Sequence, residues 1–146
     1  MLFRHLLYLR KLPGNDDSGA MAALLVFHLL GLYPVPSSTQ LLIGSPFLSS
    51  YTLKNDFFKT STKVTVNGFD KTTLTAQPSN LSRLYVEEVK INGVKSQTRC
   101  WIDFNDLVGE SSNIEITVTS NLTAALGCGD GKNALPDSLA TGGFVF

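Results

Sequence analysis

Asp16-Asp17-Ser18-Gly19-Ala20-Met21-Ala22-Ala23-Leu24-Leu25-Val26-Phe27-His28-Leu29-Leu30-Gly31 is the stretch that decides the fold. Its boundaries predict a helix over residues 18–30. Pro13-Gly14-Asn15 forms a turn, and Asp16, Asp17 and Ser18 supply cap and first-turn groups. Gly31 is placed for a left-handed C-cap, with Pro34 three residues later. Between these signals nearly every face is apolar. A surface helix would carry a polar stripe, so this one is expected to be buried all round by helical neighbours. The remaining sequence holds no other convincing helix, and those neighbours are therefore expected to be missing from the chain.

Beyond Pro34 the pattern changes to short strands and turns. Leu41-Leu42-Ile43 closes at Gly44-Ser45-Pro46, and residues 47–53 form the next candidate. Lys63-Val64-Thr65-Val66 ends at Asn67-Gly68, and residues 84–91 end at Asn92-Gly93, both tight-turn dipeptides. Residues 72–76 and 98–104 are further candidates, the latter followed by a loop at Gly109. Residues 113–119 alternate cleanly, with Ile114, Ile116 and Val118 on one face. The expected fold class is α+β: one buried helix, then a small antiparallel β-sandwich-like domain. The expected divisions are residues 1–34, 35–123 and a Gly-rich tail, 124–146, read as loop or loosely docked.

The 146 residues carry twelve basic and twelve acidic groups, so no whole-chain charge argues for nucleic acid or an anionic membrane. The apolar run over residues 20–33 is interrupted by His28 and falls short of the roughly 20 residues that span a bilayer. Residues 1–11 make a poor signal peptide. Two acceptor triplets, Asn80-Leu81-Ser82 and Asn121-Leu122-Thr123, lean towards a secreted protein. Cys100 and Cys128 are either bridged to each other or two unrelated buried thiols.

The chemistry gathers at Pro13-Gly14-Asn15-Asp16-Asp17-Ser18-Gly19-Ala20-Met21. Two adjacent carboxylates head an apolar helix, whose N-terminus favours their ionised form. An ionised carboxylate in a cleft can act as general base on water or bind a hard cation. The bland alternative is an ordinary N-cap beside a second, solvated acid.

Three segments in order, Pro13-Gly14-Asn15-Asp16-Asp17-Ser18-Gly19-Ala20-Met21, Gly31-Leu32-Tyr33-Pro34-Val35 and Ile43-Gly44-Ser45-Pro46, resemble the last catalytic stretch of glycoside hydrolase family 92. Ile91-Asn92-Gly93 and Trp101-Ile102 resemble elements of that family's terminal β region. The resemblance implies an inverting exo-α-mannosidase built on an (α/α)6 helical toroid preceded by a β-sandwich, with calcium at the sugar site. It places Asp17 at the general-base position, with Asp16 beside it in the catalytic group and Asn15 and Gly14 against the sugar. The general-acid Glu and most calcium ligands belong to earlier family segments, so no metal ligand is assigned here. Residues 1–34 are then the end of the toroid, the partners are an α-mannoside glycan and the missing barrel helices, and the setting is the secretory pathway, with N-glycan processing as the role. Two departures stand out. Met21-Ala22-Ala23-Leu24 replaces the family's Met-Ser-Ala-Trp, and residues 1–11 do not resemble the preceding family segment, which fits a truncated or mis-started reading frame.

Other signals fall away. Gly127-Cys128-Gly129-Asp130-Gly131-Lys132-Asn133 lacks the Ser or Thr and the first-Gly spacing of a phosphate loop. His28 has no partner ligand at zinc spacing. Trp101 and Tyr85 could stack on sugar but read more simply as strand packing. The rival reading is a non-catalytic β-sandwich module for binding or structure. Glycan binding by residues 35–123 alone would favour it.

Overall fold

In the computed structural model, residues 19–71, 82–83, 85–129 and 133–138 are described. Helix α1 spans Ala20–Leu30. Strands β1 (Leu32–Pro34), β2 (Gln40–Ile43), β3 (Ser50–Asn55) and β4 (Thr60–Asn67) follow. Then come β5 (Tyr85–Ile91), β6 (Val94–Lys95), β7 (Trp101–Asp103), the short helix α2 (Phe104–Val108) and β8 (Asn113–Thr119), and a 3-10 turn covers Thr123–Ala125. The expected strand at residues 72–76 lies outside the described residues.

The strands form two sheets, one of order β1-β2-β7 and one of order β3-β4-β8-β5-β6. The pairings are antiparallel except one: β4 runs parallel to β8, Val64 opposite Ile114 and Val66 opposite Ile116. The expectation of a wholly antiparallel region is corrected there. Local periodicity identifies a strand but not its partner, and this pair joins segments about fifty residues apart.

The period-two pattern of β8 is the spine of the core. Ile114, Ile116 and Val118 are buried between exposed or half-buried neighbours, as alternation on a one-sided sheet requires. They meet Val64 and Val66 of β4, Val89 of β5, Leu32 and Leu41 of the small sheet, Ile102 of β7 and Leu107 of α2 in one apolar cluster. Asn92-Gly93 turns β5 into β6 with both residues at positive φ, 51° and 80°, the geometry a two-residue hairpin needs. Thr62 is fully buried within this core, where its hydroxyl reaches Ser112 Oγ (3.2 Å) and the Glu110 carbonyl (3.3 Å).

Helix α2 stands where the sequence suggests only a loop. Asp103 caps it, its carboxylate accepting from the Asn105 N–H at 2.8 Å. The same side chain accepts from the Thr39 hydroxyl at 2.6 Å, tying the helix to the small sheet.

The described part of the tail is docked. Cys100 and Cys128 form a disulfide, which resolves the choice the sequence left open. Thr98 donates through Oγ1 to the carbonyl of buried Ala134, and Trp101 Nε1 donates to the Asn133 carbonyl. The Asp137 N–H reaches Gln40 Oε1 at 2.7 Å, joining positions 97 residues apart. Arg99 gathers the carbonyls of Glu87, Leu126 and Gly127 around its guanidinium. With 28 residues separating the two cysteines, their double replacement by Ser is expected to lower stability by about 2–4 kcal/mol. Urea midpoints of the two forms check this, and reductant should shift only the parent.

Candidate functional site

The site begins with how α1 is held. Its C-terminal end ends in Gly31 at φ 73°, whose N–H returns to the His28 carbonyl at 3.0 Å. The left-handed C-cap read from the sequence is thus present. Gly31 also packs directly on Gly44-Ser45-Pro46. The Gly44 N–H donates to the Gly31 carbonyl at 2.7 Å, and the Phe47 N–H to the Leu29 carbonyl at 3.0 Å. A Cβ on Gly31 would lie 2.7 Å from Pro46 N and 2.8 Å from Gly44 O. Two of the three recognised motifs are therefore two halves of one backbone clasp.

Tyr51 of β3 completes it, donating its hydroxyl to the Leu30 carbonyl at 2.9 Å. Burial pushes the Tyr51 phenol far above its ordinary range, so it remains a donor at any pH the fold would meet. His28 stacks on Tyr33, ring centres 5.9 Å apart. That contact gives His28 a packing role, as its lack of ligand partners in the sequence suggested.

The other end of α1 is differently placed. Phe27 and Leu30 rest on the core cluster, but no residue of the helix is buried. Leu24 is 39% and Val26 55% exposed, apolar side chains only partly covered by the described residues. The burial expected for this helix is not supplied by the described strands. Gly19 is the N-cap at φ 79°, with no side-chain cap bond and open space where a Cβ would stand. Eleven residues separate this end from the clasp, a length of roughly 16 Å.

Asp17, Asp16, Asn15 and Gly14 lie outside the described residues. By sequence they precede the N-terminus of α1, where the aligned peptide dipoles favour an anionic carboxylate. Among the described residues, no group of three or more His, Cys, Asp or Glu converges in a way that could hold a metal. The described residues thus do not fit calcium, and no step is routed through it. An acidic neighbourhood does exist at α2. The Asp106 carboxyl is held above its usual range by burial first, then by Asp103 and Glu110 nearby. It borders a cleft with Asn92 and Asn105.

The described residues form an α+β fold that resembles the C-terminal domain of family 92 glycoside hydrolases. The chain matches the glycosyl hydrolase family 92 catalytic domain over residues 9–120, and it belongs to that family. It is 34% identical over 131 residues to a protein of Arthroderma benhamiae named an uncharacterized secreted glycosidase, covering 89% of this chain and 15% of that one. Among solved structures it is similar to a family 92 α-mannosidase of Bacteroides thetaiotaomicron, with TM-score 0.67 and 25% identity over 88% of this chain and 15% of that one. The mannoimidazole complex of the same enzyme gives TM-score 0.65 and 26% identity over the same shares. The chain therefore spans about 15% of the length of these relatives. No helix among the described residues is long and apolar enough to cross a membrane.

Proposed function

We propose that this chain contributes the general-base half of the active site of an inverting exo-α-mannosidase acting on glycans in the secretory pathway. Asp17 takes a proton from the attacking water, Asp16 supports that charge, and Asn15 and Gly14 meet the sugar. Inversion needs an acid and a base on opposite sides of the ring, with carboxyls roughly 6.5–9.5 Å apart. The acid Glu comes from a segment outside this sequence, as do the helices that cover α1. Calcium, implied by the family, would polarise the sugar hydroxyls from ligands that also lie mostly outside it.

The observation that carries the reading is α1 itself. A helix apolar on nearly every face, with an acidic pair just before it in sequence, leaves Leu24 and Val26 exposed among the described residues in a chain that matches the family 92 catalytic domain. The relative with mannoimidazole bound supports a mannoside ligand. A relative named as secreted and the Cys100–Cys128 bridge support an oxidising compartment.

Alone, the chain is expected to turn over no α-mannoside, because one carboxylate cannot serve both proton transfers. Purified chain is assayed on aryl and disaccharide α-mannosides, with ANS fluorescence alongside. Background hydrolysis with ANS binding at the apolar helix is the expected result. Turnover that disappears in Asp17→Asn would mean that the acid resides within these 146 residues.

A further inference from the structure

We infer that Asn121 carries an N-linked glycan, a step that rests on the secretory reading above. Asn121-Leu122-Thr123 has the acceptor pattern, with no proline at the middle position. The structure puts that triplet where a glycan can be tolerated. β8 ends at Thr119, and the chain then turns outward through Asn121, Leu122 and Thr123, all three exposed.

The hydrogen bonds of the turn leave the reacting atom out. The Asn121 N–H donates to Thr119 Oγ1 at 3.1 Å, and Asn121 Oδ1 accepts from the Thr123 N–H at 3.0 Å. The Ala125 N–H closes the following turn on the Leu122 carbonyl at 3.0 Å. Glycosylation replaces one hydrogen on Nδ2 and leaves the carbonyl oxygen an acceptor, so every one of these bonds survives modification. In the transfer, Nδ2 forms a bond to the anomeric carbon of a lipid diphosphate-linked oligosaccharide. The sugar–phosphate bond breaks, the lipid diphosphate departs, and Nδ2 loses one proton.

A second observation supports that compartment. Cys128, seven residues beyond Asn121, is paired with Cys100, and such bridges form where this glycan transfer also takes place. The other triplet differs. Its hydroxyl residue, Ser82, is 2% exposed in the folded protein, and Asn80 lies outside the described residues. The inference is therefore confined to Asn121.

The test translates the full chain behind a cleavable secretion leader in the presence of endoplasmic-reticulum microsomes. Protease-protected product is sized before and after treatment with an N-glycan-removing endoglycosidase, for the parent, Asn121→Gln and Thr123→Ala. The expected result is that both variants lose one glycan equivalent relative to the parent. Protected, disulfide-bonded parent with the same glycan number as both variants would overturn the site while leaving the compartment intact. Native protein recovered from the cytosol with free thiols would instead overturn the secretory reading, and the site with it.

Discussion

Asp17→Asn, introduced into a form of the enzyme that carries the remaining family segments, is expected to lower kcat on an α-mannoside by about 10²–10⁴, with KM little changed. General-base assistance is worth that range, and the amide keeps the shape of the carboxylate while losing its basicity. Removal of an interaction made only in the transition state lowers kcat and kcat/KM together. Asp16→Asn supplies the comparison. If Asp16 supports charge rather than accepts the proton, its loss is smaller and leaves the acidic limb of the pH profile, which reports the base, unmoved. Steady-state kinetics across pH on both variants distinguish the two acids. A negligible loss from Asp17→Asn would return the pair to the status of a helix cap with a solvated neighbour.

Gly31→Ala is expected to destabilise the chain by about 2–5 kcal/mol and to loosen α1 first. Two costs add. An L-residue held in the left-handed region loses about 1–2 kcal/mol, and Gly31 sits at φ 73°. The new methyl would also meet Pro46 N and Gly44 O within 2.8 Å. These are backbone atoms that cannot swing aside, and overpacking of this sort costs typically 1–3 kcal/mol. Gly44→Ala is the control. Its methyl would meet only the Gly31 carbonyl, at 3.9 Å, so little change is expected. Hydrogen exchange at Leu29, Leu30 and Gly31, read beside thermal unfolding, checks both. If both variants melt together, the clasp is not what holds the helix.

Much of the architecture was legible because its signals are local. Gly31 and Pro34 mark the helix end by backbone conformation alone, and Asn92-Gly93 marks a hairpin for the same reason. β8 shows itself because one buried face imposes period two on Ile114, Ile116 and Val118. Helix α2 escaped because five residues are too few for a periodic pattern. Its one signal, Asp103 as a cap before Phe104-Asn105-Asp106-Leu107, is easily taken for a polar strand end. The parallel β4–β8 pairing, the Gln40–Asp137 tie and the Arg99 carbonyl cage escaped for a different reason. Each joins distant segments, and each does so through main-chain groups that every residue type shares. At residues 16–17, composition and spacing identified an acidic pair just before a helix. Only the ordered set of motifs turned that pair into a hydrolase reading, since caps of the same composition are common.

The clasp and the helix it grips form a cantilever. Among the described residues the rod is held near Gly31 and not near Gly19, so a change of about 10° in its tilt would sweep the far tip through about 3 Å over a length of roughly 16 Å. Reaction geometry tolerates far less, since a misplacement of about 1 Å can cost a hundredfold in rate. Glycines and prolines that never approach a sugar can therefore be as intolerant of change as the acids themselves.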